Sequence, residues 1–153
     1  MGNSVERALA LQQAADDYFY KPFDPYELVA ANVLDAPQHG EPMRLALDWR
    51  VMEPVEDAVM IFTHVARDEG FLIAQRDAVP GNGAFPVTGW EPGEVVRDQF
   101  ALQLPADLPV GQYEIRVGIY NPTSGQRYGL TEAGTNTCEG NTAVIIQQLT
   151  VND

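Results

Sequence analysis

The feature that most constrains this chain is a regular alternation of apolar residues in two separate segments. Residues 43–51 place an apolar side chain at every second position, and residues 112–119 repeat the pattern. Successive side chains of a β-strand point to opposite sides, so a period of two predicts half-buried strands. Residues 59–65 (VMIFTHV) are apolar at nearly every position, which predicts a central strand covered on both faces.

Turn-forming sequences separate these segments from further candidate strands. Asp-Glu-Gly at 68–70, Pro-Gly-Asn-Gly at 80–83 and Asn-Pro-Thr-Ser-Gly at 121–125 are typical of turns and loops. The remaining strands are expected at 71–75, 94–104, 127–130 and 143–151. Seven or eight short strands with frequent turns predict an all-β fold, an immunoglobulin-like antiparallel β-sandwich, over residues 25–153.

The first 24 residues follow a helical pattern instead. Asn3 and Glu6 form a capping-box pattern, apolar residues follow at helical spacing, and Pro22 ends the regularity. We expect an N-terminal helical extension over 1–24, which would pack on the sandwich or make a homo-oligomer with a second copy. Residues 27–34 are ambiguous: their composition favours a helix, whereas the sandwich needs a first strand there.

Composition excludes several classes of function. Nine basic residues against 22 acidic ones give a net charge of −13, so the basic footprint of a nucleic-acid-binding protein is absent. No apolar run is long enough to span a membrane. The two histidines and the single cysteine, Cys138, are far apart in sequence, so no metal or cofactor is expected. No catalytic constellation is present either, although carboxylates on distant strands leave an enzyme as an alternative.

One local motif supports the sandwich prediction. Residues 105–115 (PADLPVGQYEI) have the pattern of a tyrosine corner, in which a tyrosine early in a strand hydrogen-bonds to backbone just upstream. Tyr113 would be that residue, Gly111 would permit the close approach, and Ile115 would take the core position two residues on.

Four segments in order, at 40–54, 59–83, 90–127 and 143–151, carry a family resemblance that covers about 110 of the 153 residues. They resemble the soluble C-terminal β-sandwich of large bacterial membrane proteins of the glycosyltransferase type, which use polyprenyl-phosphate-linked sugars. The matching positions are Trp90, Pro92, Gly93, Glu94, Asp98, Leu104, Pro105, Gly111, Tyr113, Gly118, Tyr120, Gly125 and Arg127. Glycosyl transfer in such proteins resides in the membrane part, so the resemblance implies the module and a link to cell-envelope glycans, but no activity.

A second, shorter resemblance covers residues 14–31 (AADDYFYKPFDPYELVAA). This stretch resembles the last strand and final helix of a two-component receiver domain, with Lys21 matching the lysine that contacts the phosphoryl group. The phosphoacceptor aspartate and the rest of the receiver are missing, so the resemblance implies no function here.

Candidate binding residues are the aromatic side chains, because exposed aromatic rings are where β-sandwiches usually hold sugars. A sugar site is expected near Trp90, Tyr120, Arg127 and Tyr128. Trp49 is predicted to be core, His64 to be a core histidine, and Trp90 to plug the open end of the sandwich rather than serve as a stacking platform. Asp98 and Arg127 are predicted to form an ion pair or to brace turns.

These observations predict a non-enzymatic binding or accessory module that recognises a glycan or a protein partner. The alternative is an intracellular protease-inhibitor-like or regulatory sandwich that binds protein through a loop or an edge strand. A signal-peptide pattern is missing, which favours a cytoplasmic location, whereas the resemblance implies an extracytoplasmic place within a larger membrane protein. An exposed Trp90 would favour the glycan, and a buried Trp90 with an exposed edge strand would favour the protein partner.

Overall fold

The computed structural model describes residues 21–34, 42–67, 72–81, 83–105, 108–130, 137–138 and 142–151. Its nine strands are β1 (Lys21–Phe23), β2 (Tyr26–Val33), β3 (Met43–Val51), β4 (Met60–Arg67), β5 (Leu72–Ala78), β6 (Val95–Leu102), β7 (Gly111–Tyr120), β8 (Thr137–Cys138) and β9 (Ala143–Val151). The predicted all-β fold is confirmed for this part of the chain. Seven of these strands are long, and β1 and β8 are short additions.

The strands form two antiparallel sheets. Sheet A has the order β1-β2-β3-β6, and sheet B has the order β5-β4-β7-β9-β8. The alternation in the sequence determines which sides face each other, because one side of β3 and one side of β7 are apolar throughout. The inward residues of β3 are all 0% exposed, namely Met43, Leu45, Leu47, Trp49 and Val51. Each large apolar side chain buried in this way contributes roughly 1.5–3 kcal/mol.

The N-terminal prediction concerns mostly residues outside the described ranges, since the predicted helix and its contacts with a second copy fall on residues 1–20. Within residues 21–24 the chain forms β1, and Phe23 of β1 pairs with Tyr26 of β2 across a turn. Residues 26–33 form β2, which is hydrogen-bonded to β3, so the receiver-like helix is absent from this segment. The need for a first strand therefore outweighs the helical composition.

Two other expectations have different outcomes. Residues 127–130, predicted as a strand, make only an isolated bridge between Arg127 and Tyr120. The preceding turn is as predicted, since the Gly125 N–H donates to the Asn121 carbonyl at 2.7 Å. Asn121 also accepts the Thr123 N–H through its side chain at 2.8 Å. After the turn the chain stays beside β7 as far as Tyr128, whose N–H donates to the Ile119 carbonyl at 2.9 Å.

The tyrosine-corner segment has the expected geometry. The Tyr113 hydroxyl donates to the Pro109 carbonyl four residues upstream, and the Tyr113 side chain is 1% exposed. Gly111 has a φ of +150°, and a Cβ there would lie 2.9 Å from Nη2 of Arg67. The backbone angle therefore favours glycine at the start of β7, whereas the Arg67 guanidinium could move aside.

Candidate ligand-binding surface

All four predicted binding residues lie at one end of the sandwich. The Tyr128 N–H donates to the Ile119 carbonyl near the end of β7, and the Tyr128 ring meets Tyr26 at the start of β2, so this end is shared by both sheets. The loop that carries Trp90 lies at the same end, because the Gly93 N–H donates to the Val51 carbonyl at the end of β3. The four side chains nevertheless divide among three different surroundings.

Trp90 is part of the loop that closes this end. It is 8% exposed, and its indole N–H donates to the Phe85 carbonyl at 2.9 Å. Val87, in the 3-10 turn Val87–Gly89, is buried beside it in the same core. A tryptophan that is buried and hydrogen-bonded in this way plugs the end of the sandwich and offers no stacking platform.

Tyr128 packs inward. Its ring contacts the Tyr26 ring edge-on, with centroids 5.2 Å apart and an interplanar angle of 89°. Burial, followed by the neighbouring Tyr128 hydroxyl, raises the pKa of Tyr26 well above its usual range. Tyr128 therefore completes the core at this end, away from the other predicted residues.

Tyr120 and Arg127 do come together, on the outer face of sheet B. Their backbones form the isolated bridge, and both side chains contact Phe62. The Arg127 guanidinium carbon lies 4.3 Å from the centre of the Phe62 ring, and the Tyr120 ring centre lies 6.4 Å from it. Arg127 also donates to the Thr142 hydroxyl at 3.1 Å, which holds its guanidinium over the ring.

Phe62 is the central residue of this surface, and the sequence analysis missed it. Ile61 and Val65 belong to the core, so Phe62 faces the opposite side of β4. Gly118 pairs with it on β7, and a Cβ there would lie 2.2 Å from the tip of the Phe62 ring. The ring lies flat in the space that this glycine leaves, and its neighbours cover it to 1% exposure. The sequence carried no local signal for this contact, because Phe62 and Gly118 meet only through the register of β4 with β7.

His64 also belongs to this surface, which corrects its prediction as a core histidine. It follows Phe62 on the same side of β4, is only half-buried, and has its ring centre 4.6 Å from the Phe62 ring centre. Its partner across the sheet is Arg116, which makes a 2.8 Å ion pair with Glu114. The apolar run around His64 concealed this position, because a run without alternation does not show which side faces the core.

Carboxylate and amide groups border the aromatic rings. Asp77 pairs with Phe62 from β5 and accepts the Tyr120 hydroxyl at 2.9 Å. The Gln75 amide donates to the other Asp77 oxygen at 3.5 Å. Burial, then the hydrogen bond to Asp77 and its negative charge, raise the pKa of Tyr120. The Tyr120 hydroxyl therefore remains protonated at neutral pH and acts as a donor.

We call this surface the Phe62 platform; it consists of Phe62, His64, Asp77, Tyr120 and Arg127. It combines aromatic rings with one cation and one carboxylate, so its formal charge is zero although the chain carries −13. Phe62 is covered by its neighbours and supports the surface from beneath, so a ligand would meet the half-buried Tyr120 and His64 rings and the exposed Asp77 and Arg127 side chains. The surface thus combines hydrogen-bond donors and acceptors with aromatic side chains.

Asp98 lies apart from the platform, inside the sandwich. It is 1% exposed on β6 and accepts the Gly81 N–H at 2.8 Å, so it braces the loop after β5. Burial raises the pKa of Asp98, while the Gly81 N–H and the nearby Arg76 charge partly oppose this rise. Arg76 itself lies over the Phe100 ring, 4.0 Å from its centre. Asp98 therefore braces a turn, whereas Arg127 contacts Phe62 and Thr142.

Two further properties concern the described residues alone. Within them, no three His, Cys, Asp or Glu side chains gather as a metal site would require. In the same part of the chain, no helix has the length and hydropathy to cross a membrane.

Comparison with known proteins relates the chain to others by fold. The C-terminal domain of wzt is similar with a TM-score of 0.51 and 14% identity, over 84% of this chain and 74% of that one. A β-glucuronidase from glycoside hydrolase family 2 is similar with a TM-score of 0.46 and 11% identity, over 67% of this chain and 10% of the enzyme. No family model matches the chain, and no curated protein matches it significantly. The β-sandwich that the resemblance implied is confirmed as the fold.

Proposed function

We propose that this protein is a non-enzymatic glycan-binding module and that the Phe62 platform is its binding surface. The observation that carries the proposal is the grouping of Phe62, Tyr120 and Arg127 with a carboxylate on one outer sheet face. Sequence resemblance to the sandwich modules of glycosyltransferase-type membrane proteins supports a ligand from cell-envelope glycans. The strand order and the Tyr113 corner support an immunoglobulin-like classification of the sandwich.

The chemistry of a sugar matches what the platform offers. One face of a pyranose is lined by C–H groups that pack on aromatic rings, and its hydroxyls both donate and accept hydrogen bonds. Asp77 supplies acceptors, Arg127 supplies donors, and the Tyr120 hydroxyl is oriented by Asp77. These groups are already held by one another before a ligand arrives, so binding orders few side chains.

The experiment measures oligosaccharide affinity in matched arginine variants. Neutral and anionic oligosaccharides are screened on an array, and the tightest one is titrated by calorimetry. Arg127→Ala removes a platform donor, whereas Arg44→Ala removes an exposed arginine on the outer side of sheet A. We expect Arg127→Ala to weaken binding by about tenfold or more, because central contact residues dominate affinity, and Arg44→Ala to leave it nearly unchanged.

Phe62→Leu provides the second variant, since it keeps apolar bulk over Gly118 but removes the aromatic ring. Because Phe62 is 1% exposed and only supports the Arg127 guanidinium and the Tyr120 ring, we expect it to weaken binding less than Arg127→Ala does while its circular dichroism spectrum stays that of the wild type. The proposal is refuted if no oligosaccharide binds, or if the Arg44 and Arg127 variants lose affinity equally.

An edge strand favours protein binding as a second candidate function. Within the described residues β5 pairs only with β4, and Leu72 at its start is 42% exposed. The buried Trp90 also points to this alternative. A protein partner that adds a strand to β5 should no longer bind the Leu72→Asp variant. Oligosaccharide binding should be unaffected by the same substitution, so one set of variants separates the two functions.

A further inference from the structure

A second concave feature lies on the other side of this end of the sandwich. A cavity of about 400 Å³ opens between the loop at 83–94 and the first residues of β6. Phe85, Trp90, Glu94, Val95 and Arg97 are among the residues that line it. Its volume falls within the ~300–1,000 Å³ typical of small-molecule sites. We refer to it as the loop cavity.

Phe85 gives the loop cavity a fixed, exposed aromatic wall. Its side chain is 51% exposed, yet its N–H donates to the Pro80 carbonyl at 3.0 Å and its carbonyl accepts the Trp90 indole. The ring is packed on Gly81, where a Cβ would lie 2.3 Å from the ring carbon Cδ2. Gly81 is in turn held by Asp98. Phe85 is therefore a large apolar side chain held at the surface by its backbone hydrogen bonds and by its contact with Gly81.

The charged groups of the cavity restrict its ligand. Arg97 is held flat by two bonds to Asp48, at 2.8 and 3.1 Å, which leaves three of its five N–H donors for other contacts. Glu94 supplies a carboxylate. A cationic ligand would face Arg97, an anionic ligand would face Glu94, and a hydrocarbon would desolvate both charges without replacing their hydrogen bonds. One cation and one carboxylate beside the Phe85 ring favour a ligand without net charge that has hydrogen-bonding groups and one apolar face, and a sugar has all three properties.

We propose that the loop cavity is a second carbohydrate site, which takes a single uncharged pyranose ring stacked on Phe85 and hydrogen-bonded to Glu94 and Arg97. Trp90 supports this site by holding the Phe85 carbonyl. The inference depends on the loop and β6 alone, so it would stand if the Phe62 platform bound nothing. If both sites bind sugar, the chain contacts two separate units of a glycan.

The test uses the full chain and five simple sugars. Methyl β-glucopyranoside, methyl β-galactopyranoside and methyl α-mannopyranoside are the neutral probes, and glucuronate and glucosamine are their charged counterparts. Binding is followed by saturation-transfer NMR and by intrinsic tryptophan fluorescence, to which Trp49 and Trp90 both contribute. We expect at least one neutral probe to bind saturably and to bind Phe85→Ala at least about fivefold more weakly, the loss typical of an aromatic contact.

Matched variants distinguish this result from loss of fold. Val110→Ala removes another exposed apolar side chain, 52% exposed at the opposite end of the sandwich, and should leave the affinity unchanged. Glu94→Gln removes the cavity's carboxylate charge and should raise glucuronate binding relative to the neutral probes. Phe62→Leu should leave the affinity of the loop cavity for the neutral probes unchanged. The proposal is overturned if no neutral probe binds, if Phe85→Ala binds as the wild type does, or if a charged probe binds the wild type more tightly.

Discussion

Replacing Tyr113 by phenylalanine should destabilise the protein measurably although it removes a single oxygen atom. The ring keeps its place in the core, so no cavity is created beyond the volume of the hydroxyl. What disappears is the hydrogen bond to the Pro109 carbonyl, which fixes the chain entering β7. Since β7 pairs with both β4 and β9, any loosening there affects the centre of sheet B.

The magnitude follows from the burial of the two partners. A buried hydrogen bond contributes about 0.5–1.5 kcal/mol, and an orphaned partner adds up to about 3 kcal/mol. Pro109 is itself exposed, so water can reach its freed carbonyl and the second contribution is small. We expect Tyr113→Phe to lower the free energy of unfolding by about 1–2 kcal/mol. For a domain of this size that corresponds to roughly 2–8 °C in Tm.

The assay is urea denaturation followed by circular dichroism, with Tyr120→Phe as the matched control. That variant also removes one tyrosine hydroxyl, but its bond to Asp77 is exposed, so a loss below about 0.5 kcal/mol is expected. The denaturant slope should be the same in all three proteins. If Tyr113→Phe proves no less stable than Tyr120→Phe, the tyrosine corner does not stabilise this fold.

Two further variants test the packing of the outer face and the buried acid. Gly118→Ala should cost about 2–3 kcal/mol, because its Cβ would meet the Phe62 ring at 2.2 Å and the Thr142 carbonyl at 2.5 Å; a thermal melt unchanged from the wild type would contradict this. Burial raises the pKa of Asp98 in the folded protein above the ordinary value of 3.8. Protonation of Asp98 therefore stabilises the folded protein fully below about pH 3.8, and this stabilisation is lost as the pH rises through the raised pKa of the folded state. Asp98→Asn keeps an acceptor for the Gly81 N–H but does not titrate, so only the wild type loses this stability. The unfolding free energy of the variant minus that of the wild type should therefore rise between acid and neutral pH, and a fall over the same interval would contradict this reasoning.

Much of the fold could be predicted because β-strands leave a local signal. Alternation over 43–51 predicted β3 together with the burial of Trp49, and the spacing in 105–115 indicated the geometry around Tyr113. The turn at 121–125 was likewise readable, since Asn121 supplies both backbone and side-chain acceptors. These features depend on residues close in sequence, which is why single-sequence reasoning reaches them.

The candidate site could be predicted only in part because it depends on pairing between strands. Tyr120 and Arg127 are brought together by a turn that the sequence shows. Phe62 and Gly118 meet only through the register of β4 with β7, which no local pattern specifies. The 59–65 run is apolar on both sides, so neither Phe62 nor His64 could be assigned to the outer face. Trp90 was named both as a candidate binding residue and as the plug of the open end, and the structure shows it buried.

The most direct test of the account is an amide NMR titration of the labelled protein with the oligosaccharide selected on the array. We predict that the largest saturable shifts fall on Phe62, Asp77 and Tyr120, which occupy three neighbouring strands of sheet B. Shifts confined to the part of β5 around Leu72, or none at saturating ligand, would contradict glycan binding at the Phe62 platform.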